Sequence, residues 1–189
     1  MIISFGTICS SLMSERLTRK LGVNIVTVCS VLLTAIALYG FSTASAFWML
    51  CLWGIPYGLG AGAIDAALNN YVALHYNSRH MSWLHCFWGV GTIISPYIMS
   101  HALTTSVWQN GYRMVSFLQI GITVILFVTL PVWKVNRKED EQKAEQSAVI
   151  GIHGALKIKG VPQLLLGFFS YCALESTLLL WSSSYLCLL

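Results

Sequence analysis

The amino-acid sequence predicts an all-α membrane protein, and three observations carry that expectation. Apolar residues make up 56% of the 189, charged ones only 10%, and the mean hydropathy is +0.69, outside the range of ordinary soluble domains. Apolar stretches recur at Met1–Met13, Val23–Phe41, Ala46–Leu74, Trp83–Leu103, Tyr112–Trp133 and Val161–Leu189. All but the first reach the roughly 17–25 residues that a helix needs to cross a bilayer. Basic residues, finally, fall on alternate connections. Arg16, Arg19 and Lys20 follow the first stretch, Arg79 follows the third, and Lys134, Arg137, Lys138, Lys143, Lys157 and Lys159 follow the fifth, while Arg113 stands alone on the opposite side. By the positive-inside rule, the connections at 14–22, 75–82 and 134–160 are expected to be cytoplasmic and the chain to be a multi-pass protein of the cell membrane.

Taken in order, the first stretch runs 13 residues before Ser14-Glu15-Arg16 and reads as the back half of a spanning helix. A secretory signal would place its cations before the apolar core, and here they follow it. The last stretch ends at Leu189 without a polar flank, so the expectation is five full spanning helices plus one shortened at its N-terminal side, in a chain cut at both ends. Residues 1–133 are expected to form an incomplete N-terminal bundle, 134–160 a solvated cytoplasmic linker carrying Glu139-Asp140-Glu141 and Glu145 among its lysines, and 161–189 the first helix of a second bundle.

The positive charge of +4 is a topology signal, which removes the case for nucleic acid as a partner. Cys9, Cys29, Cys51, Cys86, Cys172 and Cys187 lie inside apolar stretches with no paired spacing and are expected to act as small buried hydrophobes, not as disulfides or metal ligands. No cofactor is expected. His101 and His153 stand alone, and no nucleophile with a positioned base or phosphate loop is present, so an enzyme is not expected.

Two acids interrupt the apolar stretches: Asp65 in the third and Glu175 in the sixth. An ionised aspartate at the centre of a spanning helix costs about 2.5–3.5 kcal/mol, so such residues face a bundle interior or a wet cavity and serve a pathway or a proton relay. Asn69 follows Asp65 by one helical turn, and Gly58 and Gly62 lie close to the same stripe. A second account is that Gly54, Gly58, Gly62 and Ala66 form a small-residue ridge for close helix packing, with Asp65 and Asn69 hydrogen-bonding across it. His85, Trp88 and Thr92 share one face of the fourth stretch. An imidazole, an indole and a hydroxyl suit a polar solute with rings or hydroxyls, although His85 equally suits the headgroup level. Trp83, Tyr112 and Trp133 are expected at the membrane interfaces. Tyr171 precedes Glu175 by one turn and Ser182 follows it by two, and Pro56, Pro96 and Pro131 are expected to kink helices or free a carbonyl.

These residues resemble a known family. Gly58-x-Gly60-x-Gly62-x-x-Asp65-x-x-x-Asn69, then "WLHCFWGVGTIISP" at 83–96, then Glu175 with Trp181 and Tyr185 are similar to the fucose-permease-like branch of the major facilitator superfamily. "SLMSERLTRKLG" at 11–22 resembles the superfamily's cytoplasmic signature through Glu15, Arg16, Arg19 and Lys20, with Ser11 and Thr18 where that signature has glycines. The resemblance implies a partial major facilitator fold in which the six segments correspond to helices two to seven of twelve. It further implies a sugar:proton symporter in which Asp65 stands where sugar-transporting relatives have glutamate and takes up the proton beside the sugar. Amide side chains on the relatives' fifth helix are replaced here by His85 and Trp88, so the solute contacts differ. Asp65, Asn69, His85, Trp88 and Thr92 are thus the expected solute-binding residues, with Asp65 and Glu175 coupling protons. The implied partners are the bilayer, a small solute, protons and a separate chain supplying the missing half. Efflux of amphipathic compounds and a non-functional truncated transporter remain alternatives.

Overall fold

A computed structural model describes residues 1–133, Gly154 and 156–186, with side chains left undescribed at 132–133, 179–180 and 182–186. Among these residues the chain forms six helices: α1 (Ile2–Leu21), α2 (Val23–Thr43), α3 (Phe47–His75), α4 (Ser78–Thr105), α5 (Trp108–Trp133) and α6 (Val161–Leu186). The chain divides into two compact units, Met1–Gln142 and Lys143–Leu189. α1 to α5 belong to the first and α6 to the second. The side chains of Trp133, Ser182 and Tyr185, together with His153, Cys187 and most of the 134–160 linker, lie outside what is described.

α1, α2, α4 and α5 are longer than the apolar stretches that announced them, because backbone hydrogen bonding continues past the point where side chains become polar. α1 therefore carries Ser14 to Leu21 as helix. The expected cytoplasmic loop at 14–22 is corrected: Glu15, Arg16, Arg19 and Lys20 sit on the last two turns of α1, and Glu15 accepts a 2.7 Å ion pair from Arg19 one turn on. Only Gly22 separates α1 from α2; its φ of 85° is a conformation open to glycine and strained for other residues, and it lets one helix end and the next begin within a single residue. The expected connection at 75–82 likewise shrinks to Tyr76-Asn77. By length and composition α2, α3 and residues Trp108–Pro131 of α5 can cross a membrane.

The first unit is built around α3 and α2. α3 packs along both α1 and α2, α2 packs further against α5, and α4 rests more lightly on α5 and α3. On the α1 side, the contact is backbone on backbone. Gly58 of α3 lies against the carbonyl of Ile3, Gly62 against that of Thr7, and Gly6 of α1 returns the approach to Gly58. Ser10, Ser11 and Ser14 then donate to the carbonyls of Leu59, Gly62 and Ala63. Donors and acceptors climb together along both helices, so α1 and α3 run parallel. On its other side α3 sets Gly60 against Ser30 and Thr34 of α2. Val26, Ala63 and Ala67 form a buried cluster there, flanked by Leu17 and Val23.

α2 is the most enclosed helix, with Val31, Ala35, Ala37 and Leu38 all buried. Two polar side chains of α5 bond to it: Ser116 donates to the Ala35 carbonyl at 2.9 Å and Gln119 to the Thr34 hydroxyl at 2.6 Å. At the end formed by the close of α2 and the start of α5, Phe41 packs between Tyr57 and Tyr112, with ring centroids 5.8 and 5.5 Å away. The cysteines depart from expectation. Cys29 and Cys86 are exposed and Cys9, Cys51 and Cys172 half-buried, since a thiol on a surface that the chain leaves uncovered loses nothing in a hydrocarbon surrounding.

Replacing Gly62 by leucine drives a side chain into the Thr7 backbone and is expected to lower bundle stability by about 1–3 kcal/mol or more. Gly89→Ala, where nothing lies within 4 Å, is expected to gain about 0.5–1 kcal/mol in helix stability. Thermal unfolding of both variants in detergent micelles checks the pair, and equal effects would refute the close approach of α1 and α3.

Candidate functional site

The acid in α3 is positioned by the path of α1. Within a helix, Asp65 and Asn69 fall seven and eleven residues after Gly58, nearly in line with it and with Gly62. α1 covers that line at Gly58 and Gly62, but one turn later its contacts have moved round α3: Ser14 bonds Ala63, and Leu17 packs on the cluster of Ala63 and Ala67. The stripe is thus open where it reaches Asp65, which is exposed, while Asn69 is half-buried. Asn69 Nδ2 donates to Asp65 Oδ1 at 3.0 Å. The oxygen of the same amide, Asn69 Oδ1, is buried and meets no donor among the described residues.

This geometry separates the two accounts of the stretch. The glycines pack, as the small-residue ridge requires, with Gly54 set against the Ile3 side chain. The hydrogen bond of Asp65 to Asn69, however, runs within α3 and not across to a neighbouring helix. An amide donor holds the carboxylate in one orientation while leaving its second oxygen available on the open side.

α4 carries the second group of candidates on a face that the first unit leaves uncovered. His85 is exposed, Trp88 is 58% and Phe87 75% exposed, and nothing lies within 4 Å of where a side chain on Gly89 or Gly91 would point. Thr92 turns its hydroxyl to the Gly89 carbonyl at 2.7 Å. Pro96, inside α4, has no N–H to give to the Thr92 carbonyl four residues before it. That carbonyl is an acceptor without its helical donor, one turn from Trp88. The described contacts do not bring His85, Trp88 or Thr92 against Asp65 or Asn69.

In the second unit Tyr171 and Glu175 lie one turn apart on α6. Glu175 is half-buried, and Trp181 is 66% exposed. Among the described residues there is no group of histidine, cysteine and acidic side chains that could hold a metal ion.

Sequence reasoning missed the polar contacts that build the bundle. Ser10, Ser11, Ser14, Ser116 and Gln119 all bond across helices. The signal available was the spacing of Gly6, Ser10 and Ser14 four residues apart, a small-residue ridge facing that of α3.

The sequence model of the Major Facilitator Superfamily matches residues 1–188. The chain belongs to this superfamily. Over 125 residues it is 24% identical to "Bypass of stop codon protein 6" of Saccharomyces cerevisiae, an alignment covering 65% of this chain and 25% of that protein. The chain thus spans about a quarter of the length of the curated relative it matches. No solved structure matches it. Superfamily membership and the apolar helices make this a multi-pass membrane protein of a transporter family, one whose members are in general not enzymes.

Because the face bearing Trp88 and Thr92 supports little packing, Trp88→Ala and Thr92→Ala are expected to change unfolding stability by less than about 0.5 kcal/mol. Phe41→Ala, between two tyrosines in the bundle, should cost about 3–5 kcal/mol. Denaturant titration of the three variants, followed by circular dichroism, measures the contrast.

Proposed function

We propose that the chain forms part of a transporter that moves a small polar, sugar-like solute across the cell membrane by proton-coupled alternating access. The observation that carries this reading is the Asp65–Asn69 pair: a carboxylate held by an amide at 3.0 Å on the open stripe of α3. Packing accounts for the glycines around it and leaves the acid unexplained.

In this reading all six helices cross the bilayer, α1 being the shortest, with the basic ends at 14–22, 75–82 and 134–160 on the cytoplasmic side. Asp65 takes a proton from the outer side and releases it inside. A neutral acid tolerates a dehydrated cavity with solute beside it, whereas an unpaired carboxylate there is costly. Coupling follows, because solute and proton favour the same closed state. Asn69 orients the acid, Trp88 supplies a flat wall for a ring, and His85 with the Thr92 carbonyl offers hydrogen bonds to hydroxyls. Glu175, one turn from Tyr171, is the second proton-coupling residue of this reading, in the other unit. The solute path is completed by the remainder of a longer protein or by a separate chain.

Efflux of amphipathic compounds is the second reading, favoured by one observation. An open groove of about 460 Å³ lies beside Met1, Ile2, Phe5, Gly6, Cys9, Ile55 and Leu59, and its walls are almost wholly apolar. Such walls bind greasy solutes without discrimination.

In proteoliposomes carrying the full-length protein, an inward proton gradient is expected to drive accumulation of a radiolabelled monosaccharide from a screened panel. Asp65→Asn should reduce that accumulation to simple equilibration while leaving exchange of solute across the membrane. Gradient-driven accumulation that survives the substitution removes Asp65 from coupling. Outward movement of cationic dyes in its place establishes the efflux reading.

A further inference from the structure

The turn between α3 and α4 carries a row of rings that the transport reading does not use. Tyr71 stacks on His75 with centroids 4.4 Å apart and meets Tyr76 edge-on at 6.1 Å; Tyr76 meets His80 at 5.2 Å, and His80 meets Trp83 at 5.6 Å. The Arg79 guanidinium lies over the Trp83 ring, 6.0 Å from its centroid. Arg79, His80 and Trp83 are all exposed.

Three features of this cluster point to a ligand. Arg79 is set over an aromatic face rather than left to sweep through solvent, so the entropy of fixing its guanidinium is already partly spent. Among the described residues it has no acidic partner; the one described ion pair joins Arg19 to Glu15. The parallel course of α1 and α3 puts Arg16 and Lys20 at the same end of the unit, and with Arg19 neutralised by Glu15 those two and Arg79 leave that end positive. A planar cation beside an indole at the end of a membrane bundle matches a phosphodiester at the headgroup level, where tryptophan rings settle and basic residues meet anionic lipid.

We propose that Arg79, Trp83 and His80 bind the headgroup of an anionic phospholipid at the α3–α4 turn. The guanidinium forks onto the phosphate oxygens, while the indole lies against the glycerol and the upper acyl chain. This site needs only the chain's place in a membrane and is independent of the solute and of Asp65.

The test uses the whole chain in nanodiscs of phosphatidylcholine doped with an equal fraction of acyl-brominated phosphatidylglycerol or acyl-brominated phosphatidylcholine. Subtracting the emission of Trp83→Phe isolates the contribution of Trp83. The brominated phosphatidylglycerol is expected to quench that contribution as if enriched about fivefold at the site, the factor that corresponds to about 1 kcal/mol per basic side chain at an anionic surface. The enrichment should vanish in Arg79→Gln, an exposed substitution whose helix content circular dichroism confirms. Equal quenching by the two lipids in the unsubstituted protein overturns the proposal, as does an enrichment that persists in Arg79→Gln.

Discussion

The bundle depends on two helices touching without side chains between them. Where Gly58 and Gly62 of α3 meet the Ile3 and Thr7 carbonyls of α1, the backbones lie too close to admit even a Cβ. In lipid this matters more than in water. Hydrocarbon tails are as apolar as leucine, so burial against another helix gains little, and association rests on dispersion at short range and on hydrogen bonds. The three serine hydroxyls of α1 supply the bonds, and only because the glycines let α1 near enough for Ser10, Ser11 and Ser14 to reach carbonyls on α3. Each contact strengthens the other's case for the same register.

That register also leaves Asp65 exposed. α1 leaves the glycine stripe on its way from Thr7 to Leu17, so the line that begins as a packing surface at Gly58 ends as an open surface at Asp65. Had α1 stayed in line, the carboxylate would have been enclosed and would have needed a cross-helix donor. Instead its donor comes from its own helix, Asn69, and its other side stays accessible. The hydroxyls of Ser14, Ser116 and Thr34 are enclosed and partnered, so they belong to the architecture; the carboxylate is partnered on one side only.

Much of this was legible in the sequence, for definite reasons. Apolar length marked out the helices, and the seven- and four-residue intervals joining Gly58, Asp65 and Asn69 gave the stripe and its polar pair. The helix ends were not legible, because hydropathy stops at Met13 while the hydrogen-bonded backbone of α1 runs on to Leu21. Nor were the cross-helix serines. A serine bonding to a neighbour's carbonyl and one bonding within its own turn have the same spacing in a chain, and only the packing of α1 on α3 distinguishes Ser10 from Ser82, which bonds back to Ser78.

α4 shows the other side of the same physics. It has glycines too, yet Gly89 and Gly91 meet nothing within 4 Å, and only Ala102, near its far end, is buried. Its close contact is local, Gly111 of α5 against Met99 and Ala102. A helix held at one end keeps its other turns free of the packing that would fix their side chains. Its interior proline, by removing one rung of the hydrogen-bond ladder at Thr92, lowers the cost of bending at the turn that carries Trp88 and Thr92. On the proposed reading, α3, locked along its glycines, holds the acid in place, while α4, anchored near Ala102, keeps the turns that carry Trp88 and Thr92 free to shift.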